Sequence, residues 1–174
     1  MRADAFTNTL KTTVFSSGTE ETTAILAGQL DAAYVGPNPA INAWQKSNGS
    51  AIKIISGAAS GGASLVVKGG ISSAAQLKGK SLATPSLGNT QDVAARFWLK
   101  QHGLTTTPTG GGDVAIKPIK PNSAAVLQFK SGQLDGGWEP EPYATEMVLD
   151  AADHDLVLHD LAAGIYFQPL EGVE

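Results

Sequence analysis

The 174-residue sequence contains no cysteine. That absence excludes a disulfide scaffold, a thiolate-held metal or iron–sulfur site, and any thiol nucleophile. Charge is also scarce, at 16% of residues, with a formal net charge of −4. A chain without a basic excess lacks the electrostatic footprint of a nucleic-acid binder or of a basic membrane-surface helix. No apolar run approaches the ~20 residues of a membrane span. The opening residues Met1-Arg2-Ala3-Asp4 are not followed by an apolar segment, so no signal segment is expected within the chain. Three histidines, His102, His154 and His159, fall into no HExxH or Ser/His/Asp pattern, and neither a metal nor a cofactor is expected.

What is present is a duplication. Gly28-Gln29-Leu30-Asp31-Ala32-Ala33-Tyr34 returns as Gly132-Gln133-Leu134-Asp135-Gly136-Gly137-Trp138. Pro37-Asn38-Pro39 follows the first copy, and Pro140-Glu141-Pro142 follows the second. An amphipathic stretch precedes each. One unit of helix, glycine stop, short strand and proline-started helix is thus used twice, at a spacing too long for a solenoid or propeller. Two related lobes facing a cleft is the simplest architecture that does this. With 42% hydrophobic residues the chain can bury a core of its own.

Strands and helices are expected to alternate. Residues 13–15 read as a strand, then Ser17 and Glu20 stand at capping-box spacing before a helix over 20–27. Residues 30–35 form a strand, and Asn38 caps a helix with Pro39 first. Strands are expected at 52–56, 64–68, 81–84, 114–116, 134–138 and 156–158. Ser73, Asn89 or Thr90, and Asn122 cap the helices between the later strands, and Pro142 starts another to about residue 151. Single helices between strands imply parallel sheets covered on both faces.

The candidate site lies in loops at the carboxyl ends of strands: Gly36-Pro37-Asn38, residues 85–90, and Glu139-Pro140-Glu141. Ligands of open parallel sheets lie at such ends. Helix starts supply free amide hydrogens and a positive dipole for an anion. Ser86, Asn89, Thr90 and Asn38 add neutral donors, and Gly88 allows close backbone approach. No lysine or arginine occurs in these loops. Asp31 and Asp135 read as polar caps of the turn into the strand. Glu139 and Glu141 could pair as carboxylates, but they more simply favour the next helix start.

Three motifs, Tyr34-Val35-Gly36-Pro37-Asn38-Pro39-Ala40, the run from Leu77 to Asp92, and Trp138-Glu139-Pro140-Glu141-Pro142-Tyr143-Ala144, resemble the solute-binding proteins of ABC importers for aliphatic sulfonates, taurine and nitrate. The resemblance implies an α/β, periplasmic binding protein-like fold: two lobes of parallel-rich sheets flanked by helices, joined by hinge strands, with the first lobe incomplete. It divides the chain into a partial first lobe (1–62), a second lobe (63–160) and a divergent tail (161–174). It implies a small anionic ligand, a membrane permease as partner, a periplasmic or extracellular membrane-associated location, and no catalysis. By the family pattern Gly36, Pro37, Asn38, Gly62, Ala63, Ser64, Leu87, Gly88, Asn89 and Thr90 surround the head group, while Trp138 and Glu139 line the cleft near the tail. A short first sheet invites a homodimer that completes it. Two alternatives stay open: an enzyme of the related thiamine-pyrimidine branch, whose cysteine-rich motif this chain lacks, and a truncated paralogue that binds nothing.

Overall fold

The computed structural model describes residues 10–150 and the strand 157–159. The expected tail over 161–174, and His154, lie outside the described residues. In chain order the elements are α1 (Gly18–Leu26), α2 (Pro37–Lys46), β1 (Ala63–Val67), a 3-10 turn (Ala74–Leu77), β2 (Ser81–Thr84), α3 (Thr90–Gln101), β3 (Ala115–Pro118), α4 (Asn122–Lys130), β4 (Gly136–Pro140), α5 (Tyr143–Asp150) and β5 (Val157–His159).

Five strands form one sheet in the order β3-β2-β4-β1-β5. β2 runs parallel to both β3 and β4. β1 runs antiparallel to β4 and β5, so the sheet is mixed, within the parallel-rich expectation. The reason lies in the connection. Between β1 and β2 stands only the 3-10 turn, whereas each parallel step is crossed by a full helix, the length such a crossover requires.

The pleat sends alternate side chains to opposite faces and builds two cores. On one face Leu65, Val67, Leu82, Ile116 and Trp138 pack with Ala95 and Leu99 of α3. On the other, Val66 and Ala83 meet Ala125, Val126 and Phe129 of α4 and Met147 of α5. The middle of β4 is glycine by necessity. A Cβ on Gly136 would collide with the Val66 carbonyl and crowd the Leu82 and Val67 side chains.

The first sixty residues differ from expectation. Residues 13–15, 30–35 and 52–56 belong to no sheet. A strand needs a hydrogen-bonded neighbour, and among the described residues none pairs with them. Val14, Tyr34, Ile54 and Ile55 are correspondingly exposed, Val14 at 95%. Helices α1 and α2 form without the sheet and pack on one another, and α2 also packs on α3. Several starts also shift. α1 begins at Gly18 behind Ser17, whose side chain makes no cap bond. α2 begins at Pro37 behind Gly36, so Asn38 is its second residue and not its cap. α4 begins at Asn122 itself, behind Pro121.

Candidate functional site

The loop from β2 to α3 is fixed from beneath by one buried carboxylate. Asp92 accepts hydrogen bonds from Thr84 Oγ1 (3.2 Å), the Gly88 amide (3.0 Å) and Arg96 Nε (3.0 Å). Its own amide donates to Asn89 Oδ1 at 2.8 Å, which caps α3. Arg96 is held in turn by the Thr107 carbonyl at 2.6 Å. Gly88 turns the chain at a φ of 75°, a left-handed conformation that suits glycine. With the third amide of the helix capped by Asn89, the Thr90 and Gln91 amides remain without intrahelical acceptors.

Three helix starts meet above this loop. A Cβ on Gly36, the residue before α2, would strike Thr90 Oγ1 at the start of α3. A Cβ on Gly18 would lie 2.7 Å from Val35 Cγ2 and 3.2 Å from Pro39 Cγ, so α1 begins against the turn that begins α2. Glycine at both positions lets the starts approach this closely. α2 itself has little to donate, since proline at its first and third positions leaves Asn38 as the single amide of its opening three residues.

These starts border an open cleft of about 1000 Å³. Ser17, Thr90 and Asn122 are among the residues that border it, and their Oγ, Oγ1 and Oδ1 atoms are buried without hydrogen-bond partners. Buried polar atoms are seldom left unpaired in a native protein, so each of these orphans calls for a partner. Among the described residues no lysine or arginine lines the cleft. Among the described residues its ionisable side chains are Tyr34, His102 and Glu21, and partial burial raises the Glu21 carboxyl above its usual value.

Of the residues expected from sequence, Gly36, Pro37, Gly62, Ala63, Ser64, Asn89, Thr90 and Trp138 line this cleft. Asn38, Leu87, Gly88 and Glu139 do not. Leu87 points to solvent at the turn, and Gly88 serves Asp92. Glu139 is a correction with a simple cause. It follows Trp138 in a strand, so its side chain leaves on the opposite face, beside the Gly137 and Met147 positions, fully buried. Nor do Glu139 and Glu141 pair, because Glu141 accepts from the Thr145 amide at 3.2 Å. Asp135 does not cap its own turn: it accepts from the Ser81 amide at 2.9 Å and pairs with Lys80 at the start of β2, outside the cleft lining. Sequence reasoning missed Ser17, Asn122 and the cleft-facing side of α3. Ser17 and Asn122 each stood beside a helix start and were read as caps; nothing local distinguishes a serving cap from a free one.

A parallel-rich sheet covered by helices on both faces, with helix starts gathered at an open cleft, is the fold of periplasmic binding protein-like neighbours. The alkanesulfonate-binding protein SsuA of Xanthomonas axonopodis pv. citri bound to MOPS shares this fold at a TM-score of 0.64 and 21% identity, over 83% of this chain and 47% of that one. The periplasmic aliphatic sulphonate binding protein SsuA of Escherichia coli does so at 0.63 and 20%, with the same coverage. The chain belongs to the NMT1-like family, whose model matches residues 3–157. A Brucella abortus (strain 2308) protein named only as a binding protein is 30% identical over 131 residues, 74% of this chain and 38% of its own length. The chain therefore spans about two fifths of the curated relatives it matches. No helix among the described residues is long and apolar enough to cross a membrane.

Proposed function

We propose that this chain carries the ligand cleft of an extracytoplasmic solute-binding component of an ABC importer, and that it captures a small anion such as an aliphatic sulfonate or taurine. The observation that carries this reading is the pair of unpartnered hydroxyls of Ser17 and Thr90 at the starts of α1 and α3, bordering a cleft that no lysine or arginine lines among the described residues. Neutral donors and helix dipoles suit a weakly basic oxyanion. The sulfonate-binding neighbours of the same fold support the same ligand class. The reading includes a membrane permease as partner, a periplasmic location, no catalysis, and two units over residues 1–62 and 63–160. Closure of those units would follow ligand contact with both, as a shift in population.

Titration calorimetry with alkanesulfonates, taurine, nitrate and matched carboxylates tests the proposal. Saturable heat with sulfonates but not carboxylates is expected. Asn89→Ala with Thr90→Ala should weaken binding by roughly tenfold to a hundredfold, the worth of a hydrogen bond to a charged group. Unchanged affinity in that double variant would remove the α3 start from the site. The exposed Val14, Tyr34, Ile54 and Ile55 favour one further reading, a homodimer in which a second copy covers these unpaired segments. A strictly monomeric mass by light scattering at high concentration would contradict it.

A further inference from the structure

Resting on that anion reading, we infer that α3 sets the ligand's tail: the site selects sulfonates whose organic tail is long enough to reach an aromatic surface two helical turns from the head group. One side of this helix borders the cleft from its first residue to its end. Thr90 stands at the head-group end, Ala94 comes next, then Phe97 and Trp98, then His102. At 1.5 Å of rise per residue, Ala94 is about 6 Å beyond Thr90, the aromatic pair about 10–12 Å, and His102 about 18 Å. The residue types suit a channel that begins narrow and ends adhesive. Ala94 leaves room beside the head group. Phe97 is 53% exposed although its ring is apolar. Trp98 is braced from behind, its ring 4.0 Å from that of His102, whose Nδ1 lies 2.8 Å from the Trp98 carbonyl. Trp138 reaches the same cleft from β4. A tail anchored at Thr90 and laid along this side buries apolar surface at every step. A one-carbon sulfonate leaves all of it wet.

The test is a calorimetric series on the full chain: methane-, butane-, hexane- and octanesulfonate, with a naphthalenesulfonate as a flat ring. Affinity should rise with length by up to about fourfold per methylene, then level off once the tail passes the aromatic pair. Phe97→Ala, at an exposed position, should cut the octane-to-methane affinity ratio at least fivefold. Ala94→Leu should lower the same ratio further by filling the channel. A wild-type series flat in chain length, or a ratio unchanged in Phe97→Ala, overturns the inference while leaving the anion reading in place. Absence of binding by every sulfonate overturns both.

Discussion

Glu139 carries both carboxylate oxygens into the interior without a hydrogen-bond partner, and burial pushes its carboxyl up to about 8. A buried acid with a raised value keeps its proton when folded and loses it when unfolded. Its stabilising contribution is therefore full below the ordinary value near 4.5 and declines as pH rises toward 8, by about 1.4 kcal/mol per pH unit. Glu139→Gln should remove that slope and make the protein more stable than wild type at pH 8, by a few kcal/mol at most. Denaturant midpoints measured from pH 5 to pH 8 on both proteins check this. Asp92 is the opposite kind of buried carboxylate, with both oxygens hydrogen-bonded. Asp92→Ala strands the Arg96 guanidinium beneath the loop, a loss of about 3–5 kcal/mol. Thermal unfolding should show a Tm lower by roughly 10 °C.

At the level of elements, the two sequence copies separate what is local from what is not. Both glycine stops form the same way: Gln29 donates to the Ala24 carbonyl and Gln133 to the Gln128 carbonyl, each at 2.9 Å, after a glycine of positive φ. Only the second copy becomes a strand. Its Gly136-Gly137 fits between β1 and β2, where an alanine in place of Gly136, as Ala32 is in the first copy, would meet the Val66 carbonyl. The first copy instead delivers Tyr34, Val35 and Gly36 to the cleft. Gly36 has an ordinary φ of −66°, so alanine there costs nothing in the backbone and acts only by pushing α2 away from Thr90. Gly36→Ala should then weaken sulfonate binding at least tenfold while shifting Tm by less than 3 °C. Calorimetry paired with thermal unfolding separates those effects.

For the whole molecule, the halves rest on different footings. The five-stranded sheet has a core on each face, while α1 and α2 bury little beyond Ala24, Pro39, Ala40 and Ala43 and leave large apolar residues in water. A ligand joining α1 and α2 to α3 should therefore stabilise the weaker half. Binding at a hundred times Kd contributes about 2.7 kcal/mol, which for a chain of this size raises Tm by about 5–10 °C. Differential scanning with and without a saturating sulfonate measures it. A stable core at higher temperature with no ligand shift would separate the sheet from the cleft.

The sequence by itself determined what short-range chemistry decides. The helices, the glycine stops, the Asn89 cap, the strand over 81–84 and the loop richest in site residues could all be read from spacing and residue type. Gly36, Pro37, Asn89 and Thr90 of the cleft could be read from helix starts, which announce themselves locally, whereas Gly62, Ala63, Ser64 and Trp138 came only from the family resemblance. Tertiary structure decided the rest. Whether residues 30–35 become a strand depends on a neighbour that no local pattern encodes. The side of the sheet on which Glu139 lies follows from the register of β4 against β1. That Ser17 and Asn122 stay unpartnered at the cleft, and that one side of α3 runs along it, depends on how separate helices pack. Hydrogen bonding within a turn is written in adjacent residues; pairing and burial are properties of residues far apart in the chain.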